Sequence, residues 1–349
     1  MNLTLIPEGL IDKVQHNCHI SDARFAGNYT MCIYLMKMRE FYRWEHGYAF
    51  EEQLPKEGVG SWLRQRESLW ESVESEDFHN LNIEVENYKP FEVSEVNDRL
   101  LSQGLIYGAG LGIAASPHFF LAELEQQHKL GDCTIHVAGR ELARDLTSPP
   151  AMSQGKNIYI RKESLRRFMW ERLENWNWNR PQNAMAKALS HFDVKNNLEK
   201  SLDEMTELEL ESILQHEFGE IQAGEQLGEP WHQLLLSLPR SRVEFMARAV
   251  RDLLADCLCT LPYLLKKQNP ASIHLYIANL IGMRQELAPA LKQAYQYWTE
   301  TGSFDELDAY VAQGRKHWLN TAQSLLDIYQ QHGLEGLKEM QTLLEQRVY

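Results

Sequence analysis

The densest group of residues able to do chemistry is the run TELELESILQHEFGEIQAG at positions 206–224, which places His216, Glu217 and Glu220 within one and a half helical turns. Thr206 and Glu209 make a capping box, so a helix is expected to start there. At about 100° per residue, Leu210, Ile213, Leu214 and Ile221 define one apolar stripe. Glu217 falls roughly 20° from its centre, with Glu220 about 80° and His216 about 120° away. A carboxylate facing a core is costly unless a cation, a proton or a metal compensates it. Downstream, Asp252 and Asp256 are spaced i, i+4, so both can reach inward from one helix face. The pattern predicts a helix-bundle site between helices 206–227 and 240–266, in which His216, Glu220, Asp252 and Asp256 hold a divalent Zn, Mn or Fe ion. Glu217 is read as a further ligand or as the catalytic general base, its pKa raised by burial. Metal-activated water would give hydrolysis, and a di-iron centre would give oxidation, since the ligand types suit both. The competing reading is structural: Glu217 pairs with Arg251 or Arg284, while Glu244, Arg248 and Asp252 make i, i+4 pairs on a solvated face.

Two resemblances bear on that site. His-Glu-x-x-Glu resembles the zincin motif His-Glu-x-x-His with its second histidine replaced by Glu220, which removes one helical ligand. Glu209-x6-His216 is similar to the first metal-binding helix of haem-oxygenase-like di-iron oxidases, but no later His-x3-Asp-x3-His helix follows.

A second group is cationic. Residues 155–180 hold seven basic side chains against three acidic ones, a local +4 in a chain of net charge −14. Arg166, Arg167 and Trp170 are the anion-binding candidates there, because arginine beside tryptophan can hold phosphates or stack on bases. The alternative is a cationic face docked on the protein's own acidic surface. Arg39, Glu40 and Arg43 form a further charged group beside an apolar helix side, suited to an internal ion-pair lock or to an anionic substrate. His16, Cys18, His19 and Asp22 have metal-like composition without a recognised ligand spacing, so they are read as structural.

The run Gly104 to Gly112 invites a dinucleotide-loop reading, but Ile113 stands where that fingerprint needs a small residue and no βαβ alternation surrounds it. It is read instead as a tight loop entering a helix that Ser116 caps, with Pro117 in its first turn. No nucleotide cofactor is expected.

The elements that must position these groups are mainly helical. The expected fold class is mainly α: a bundle-like C-terminal half, and a helical N-terminal half with one small β element. A long helix from Ser21 or Asp22 to about Glu45 is expected to be central, because it is apolar nearly all round from Phe25 to Met38. Short strands are expected near 133–137 and 157–160, able to pair, with a helix from Glu163 to Trp176. The loop-like stretch 177–200 puts the domain boundary near residue 190, giving domains 1–190 and 191–349. Beyond it, period 3.6 predicts helices near 206–227, 240–266, 270–298, 304–313, 315–332 and 334–347.

With 349 residues and 44% hydrophobic content the chain can build a real core. Its net negative charge argues against nucleic acid or an anionic membrane as partner. An unidentified small molecule is the expected partner, and homo-oligomerisation stays open. Five cysteines without a C-x-x-C pair argue against a disulfide framework. Together with the lack of a secretory signal or spanning segment, that predicts a soluble cytoplasmic protein. The segments CHISDARFAGNYTMCIYLMKMREFYRWE, GRELARDLTSPPA and HEFGEIQAG resemble a bacterial protein family of unknown function, a resemblance that implies one full-length unit and no activity. Two functions follow: a metal-dependent enzyme, or a non-catalytic helical interaction or scaffold protein that binds an anion through 156–180.

Overall fold

The computed structural model describes residues 6–112 and 115–349. The chain divides into two compact units, one running to Trp170 and including Asn197–Asp203, the other made of Glu171–Asn196 and Glu204–Tyr349.

The first unit contains α1 (Leu10–Phe25), α2 (Met31–His46), α3 (Lys56–Val73), a small hairpin β1 (Leu81–Ile83) and β2 (Glu86–Tyr88), and α4 (Val93–Leu100). A sheet follows: β3 (Leu105–Leu111), β4 (Pro117–Leu130), β5 (Cys133–Arg144), β6 (Ala151–Gln154) and β7 (Asn157–Arg161), then α5 (Lys162–Asn177), which belongs to the first unit up to Trp170 and to the second from Glu171. Its spatial order is β3-β4-β5-β7-β6, antiparallel except where β5 and β7 run parallel. The expected strands near 133–137 and 157–160 are therefore present and paired. Five strands, however, overturn a helical half with one small β element, so the fold class is not plainly all-α.

The physical reason lies in 105–124. Leu105, Ile106, Tyr107, Phe119, Phe120, Leu121 and Ala122 are all fully buried, so the strands are covered on both faces and the period-2 signal disappears. Gly108 belongs to β3, not to a loop, and a Cβ there would lie 2.1 Å from the Phe120 ring, so the glycine makes room for its cross-strand neighbour. The expected helix at Pro117 is the long strand β4. Ile113 lies outside the described residues.

α1 lies across β4 and β5 and beside α3. Ser21 and Asp22 sit inside this helix and do not cap it: Ser21 Oγ donates to the Pro117 carbonyl, and Asp22 accepts the Leu146 amide at 2.9 Å. A 3-10 turn at Ala26–Asn28 separates α1 from α2, and Met31, Ile33, Leu35 and Met36 are exposed, Met31 by 69%. The single central helix expected over 21–45 is thus two helices, the second with an open apolar face at its start.

The second unit is helical: α6 (Ala184–Leu189), α7 (Leu198–Leu227, entering from the first unit), α8 (Glu229–Ser237), α9 (Arg242–Ala255), α10 (Leu261–Lys267), α11 (Pro270–Asn279), α12 (Gly282–Leu287), α13 (Pro289–Thr301), α14 (Asp305–His332) and α15 (Leu337–Gln346). Its core gathers Leu253, Leu254, Trp318, Leu325, Met340 and Leu344. Between α9 and α10 the residues Asp256–Thr260 form a π-helical turn. Pro262 explains it: proline has no N–H for the carbonyl four residues back, and the wide turn absorbs the mismatch. α7 begins eight residues before the capping box, and Thr206 and Glu209 are buried in its middle. α14 runs through Gly314 without the break expected between 304–313 and 315–332; the glycine there makes room for Cys257, whose Sγ would lie 2.9 Å from a Cβ. Among the described residues no helix is long and apolar enough to cross a membrane, and none of the five cysteines is joined in a disulfide.

Candidate functional site

Gly219 sets the geometry of the group predicted on α7 and α9. A Cβ at this position would lie 2.5 Å from the Ala255 carbonyl oxygen, so the missing side chain allows the two helices to come this close. Helical spacing then sets His216 and Glu220 opposite Asp256 and Asp252. His216 Nδ1 lies 2.8 Å from Asp256 Oδ1, and His216 Nε2 is 3.5 Å from Glu220 Oε1. One donor atom from each of His216, Glu220 and Asp252 falls within 4.8 Å of the others. The structure brings His216, Glu220, Asp252 and Asp256 together. Asp256 takes the orienting role, holding Nδ1 of the histidine while Tyr276 at 3.0 Å and Arg284 hold its other oxygen.

Arginines are the counterpart that decides the electrostatics. Arg251 donates to Glu220 at 2.7 Å and to Asp252 at 3.2 Å. Burial pushes the Glu220 carboxyl up, but Arg251 and His216 outweigh it and hold it well below the usual carboxylate range. Asp252 goes the other way, up to about 6, through burial and the neighbouring Glu220 charge. Burial opposes a charged His216, yet Asp256 beside it raises its pKa well above the ordinary value. Three carboxylates therefore face two guanidiniums and an imidazole, a set that is neutral once His216 is protonated. Glu217 is buried, 9% exposed, and its charge acts on Arg251. Of the expected stripe Leu214 is buried while Leu210, Ile213 and Ile221 are half-buried, and the buried face of α7 also carries the small and polar row Ser212, Gly219 and Ala223 beside Glu209 and Glu217.

A different arrangement occupies the first unit. A cavity of 280 Å³ is lined by Arg43, Arg144, Arg166 and Arg167, by Glu40 and Glu163, and by Trp44, Tyr48 and Phe50. Two anomalies of the sequence meet there, the Arg39/Glu40/Arg43 group of α2 and the basic start of α5. Glu40 accepts from Arg39 at 2.8 Å and from Arg43 at 3.2 Å. Arg166 turns to Glu199 and to Asp203 at 2.6 Å, and stacks over Phe50. Arg167 donates to the carbonyls of Thr147 at 3.1 Å and Ser148 at 2.8 Å. Trp170 stacks on Phe50, with ring centroids 5.4 Å apart, and so supports the cavity wall from behind. The predicted anion-binding trio thus faces inward and is not a surface patch.

Arg144, which the sequence reading passed over, is the most exacting member. It is 2% exposed and stacks on Trp44 at 4.5 Å. Its nearest acceptors, Glu141 and the Glu40 carbonyl, both lie at 3.5 Å, and its Nε has no hydrogen-bond partner among the described residues. Burial and then the charge of Arg167 press its pKa down to about 10, which leaves it charged at neutral pH. Glu141 is held more tightly by Arg161 at 2.8 Å and Ser164 at 2.6 Å. The available signal was the segment GRELARD, which sets several charges on one strand.

The other predicted group, His16, Cys18, His19 and Asp22, does not converge. Cys18 donates to the Phe119 carbonyl, Asp22 holds Leu146, and His19 lies against Arg66, its pKa lowered to about 3 by burial and that guanidinium.

No curated protein and no solved structure matches this chain. Two family models do, described as the N-terminal and C-terminal domains of a family of unknown function, DUF6866, over residues 9–161 and 166–347. The chain accordingly belongs to the DUF6866 family, both of whose domains it carries.

Proposed function

We propose that the protein binds a small organic anion in the arginine-lined cavity of its first unit. The observation that carries this reading is Arg144, a buried guanidinium in the cavity wall with an unpartnered Nε and only 3.5 Å contacts to protein acceptors. An oxyanion in the cavity would supply the short charge-assisted hydrogen bonds it lacks and relieve its repulsion from Arg167. Trp44, Tyr48 and Phe50 offer flat faces for an unsaturated ring on the same molecule. The volume sits near the lower end of ligand pockets, which suits a small metabolite. Calorimetric titration with inorganic phosphate, pyrophosphate and AMP tests it. Arg144→Met should weaken the best of these about 10- to 100-fold, the cost of a charged hydrogen bond. If that variant misfolds, Arg166→Ala and Trp44→Leu must weaken binding instead. Equal affinity in all three, or no binding at millimolar anion, refutes the proposal.

A second reading, a metal-dependent enzyme at His216, Glu220 and Asp252, is favoured by the Asp256–His216 hydrogen bond, since a carboxylate on one ring nitrogen orients a histidine whose other nitrogen binds a metal. A Zn, Mn or Fe ion there must displace the proton of His216 and share both carboxylates with Arg251. Stoichiometric metal in untagged protein, lost in His216→Ala, supports it; metal-free protein with that variant merely less stable refutes it.

A further inference from the structure

A second histidine–carboxylate group lies in the first unit, away from the arginine cavity and formed by residues that no motif links. His16 projects from α1, and Glu76 and His79 come from the segment between α3 and β1. His16 Nε2 lies 2.7 Å and His79 Nε2 3.3 Å from the same Glu76 oxygen. The two imidazoles stand side by side, centroids 4.3 Å apart and planes 30° from parallel. One donor atom from each of the three falls within 4.8 Å of the others. We propose that His16, Glu76 and His79 bind one divalent transition-metal ion of the zinc class, leaving a fourth position open to water.

The placement is built. The residue next to His16, Asn17, is fully buried and clamps the His79 backbone in both directions, donating to its carbonyl at 2.8 Å and accepting from its amide at 2.7 Å. Arg24, two turns further along α1, donates to the Glu74 carbonyl at 2.9 Å and to that of Glu76, and lies over the Phe78 ring at 5.0 Å. The segment 74–79 is thus tied to α1 through its backbone, while the three metal-type side chains above those ties are left facing one another. Among the described residues the basic side chains within ion-pair distance of the Glu76 carboxylate are these two histidines, so no arginine occupies the place of the cation.

The donor set selects the metal. Two imidazole nitrogens and one carboxylate suit Zn²⁺ and its neighbours, whereas Ca²⁺ and Mg²⁺ take oxygen. Zinc bonds of about 2.0 Å at tetrahedral angles separate donors by about 3.3 Å. The His79–Glu76 distance of 3.3 Å already has that value, and the His16–Glu76 distance of 2.7 Å has to open slightly. The histidine side chains are 28% and 48% exposed, so the ion and a fourth ligand can exchange with solvent.

The test uses the untagged full-length chain, loaded with Zn²⁺, dialysed and analysed for bound metal, with calorimetry for affinity. The expected result is one equivalent at micromolar or tighter affinity that survives His216→Ala. His79→Ala, a change at a half-exposed side chain with its backbone still clamped by Asn17, should weaken it by more than the roughly 10–100-fold that loss of an orienting partner costs. Co²⁺ in place of Zn²⁺ should give the visible bands of a four-coordinate nitrogen–oxygen site in the native protein and not in the variant. No retained zinc in the native chain, or zinc bound equally well by His79→Ala and His16→Ala, overturns the proposal. Zinc lost in His216→Ala and kept in His79→Ala assigns the metal to the other cluster and overturns it as well.

Discussion

The two histidine–carboxylate clusters make an instructive pair. Each sets histidine nitrogen and carboxylate oxygens within 4.8 Å of one another. In the second unit Arg251 and Arg284 have joined the acids, so the group closes on itself as an internally neutral set. In the first unit the acid is shared by two histidines alone among the described residues, in a place open to solvent. Identical donor types thus support opposite outcomes, and the guanidiniums already present decide between them. Removing a member from the closed set leaves a charge uncompensated, whereas removing one from the open set leaves water in its place.

The largest effect follows from that contrast. Asp256→Ala strips His216, Arg284 and Tyr276 of their common acceptor in a fully buried position, and denaturant unfolding should register a loss of about 3–5 kcal/mol. An undiminished midpoint would mean that the closed set is not what holds α7 to α9. Next in size, Gly219→Ala forces a Cβ against the Ala255 carbonyl, and overpacking of this kind costs about 1–3 kcal/mol.

A pH titration sharpens the comparison further. His216 has a raised folded-state pKa, so it holds its extra proton only when folded. Its stabilisation is complete below the unfolded value of about 6.5 and fades as pH rises through the folded one, at up to about 1.4 kcal/mol per pH unit. Subtracting the His216→Gln curve from that of the native protein should isolate this alkaline limb. Glu76 shifts in the opposite sense, downward through its hydrogen bond to His16, so its contribution is present above the ordinary carboxylate pKa and disappears on acidification. Smallest of all, His79→Ala without metal should change stability by less than about 0.5 kcal/mol, as exposed substitutions do. A cost of several kcal/mol would make the open cluster as structural as the closed one.

What could be read from the amino acids divides along physical lines. The convergence of His216, Glu220, Asp252 and Asp256 was legible because it depends on spacing within two helices, and spacing is local. The arginines that neutralise them were visible only as possible partners, since pairing across helices depends on approach distance, and that depends on Gly219. The same holds in the first unit. Arg39, Glu40, Arg43, Arg166 and Arg167 stood out one by one as charges out of place, but Arg144 joined them only through strand pairing. The sheet itself was hidden because Phe119 to Ala122 are buried without alternation, and a Ser–Pro pair ahead of them imitates a helix start. Glu76 and His79 sit in an irregular segment whose path is set by Asn17 and Arg24 from another helix, so no periodicity announces them.

The wide turn at Asp256–Thr260 also fixes the phase of the helix that follows it. It contains one residue more than an ordinary helical turn. Deleting one of its residues would rotate everything after it by about 100°. Leu261, Leu264 and Leu265 would swing out of the interior, and no local repair could bring them back without moving Pro262 too.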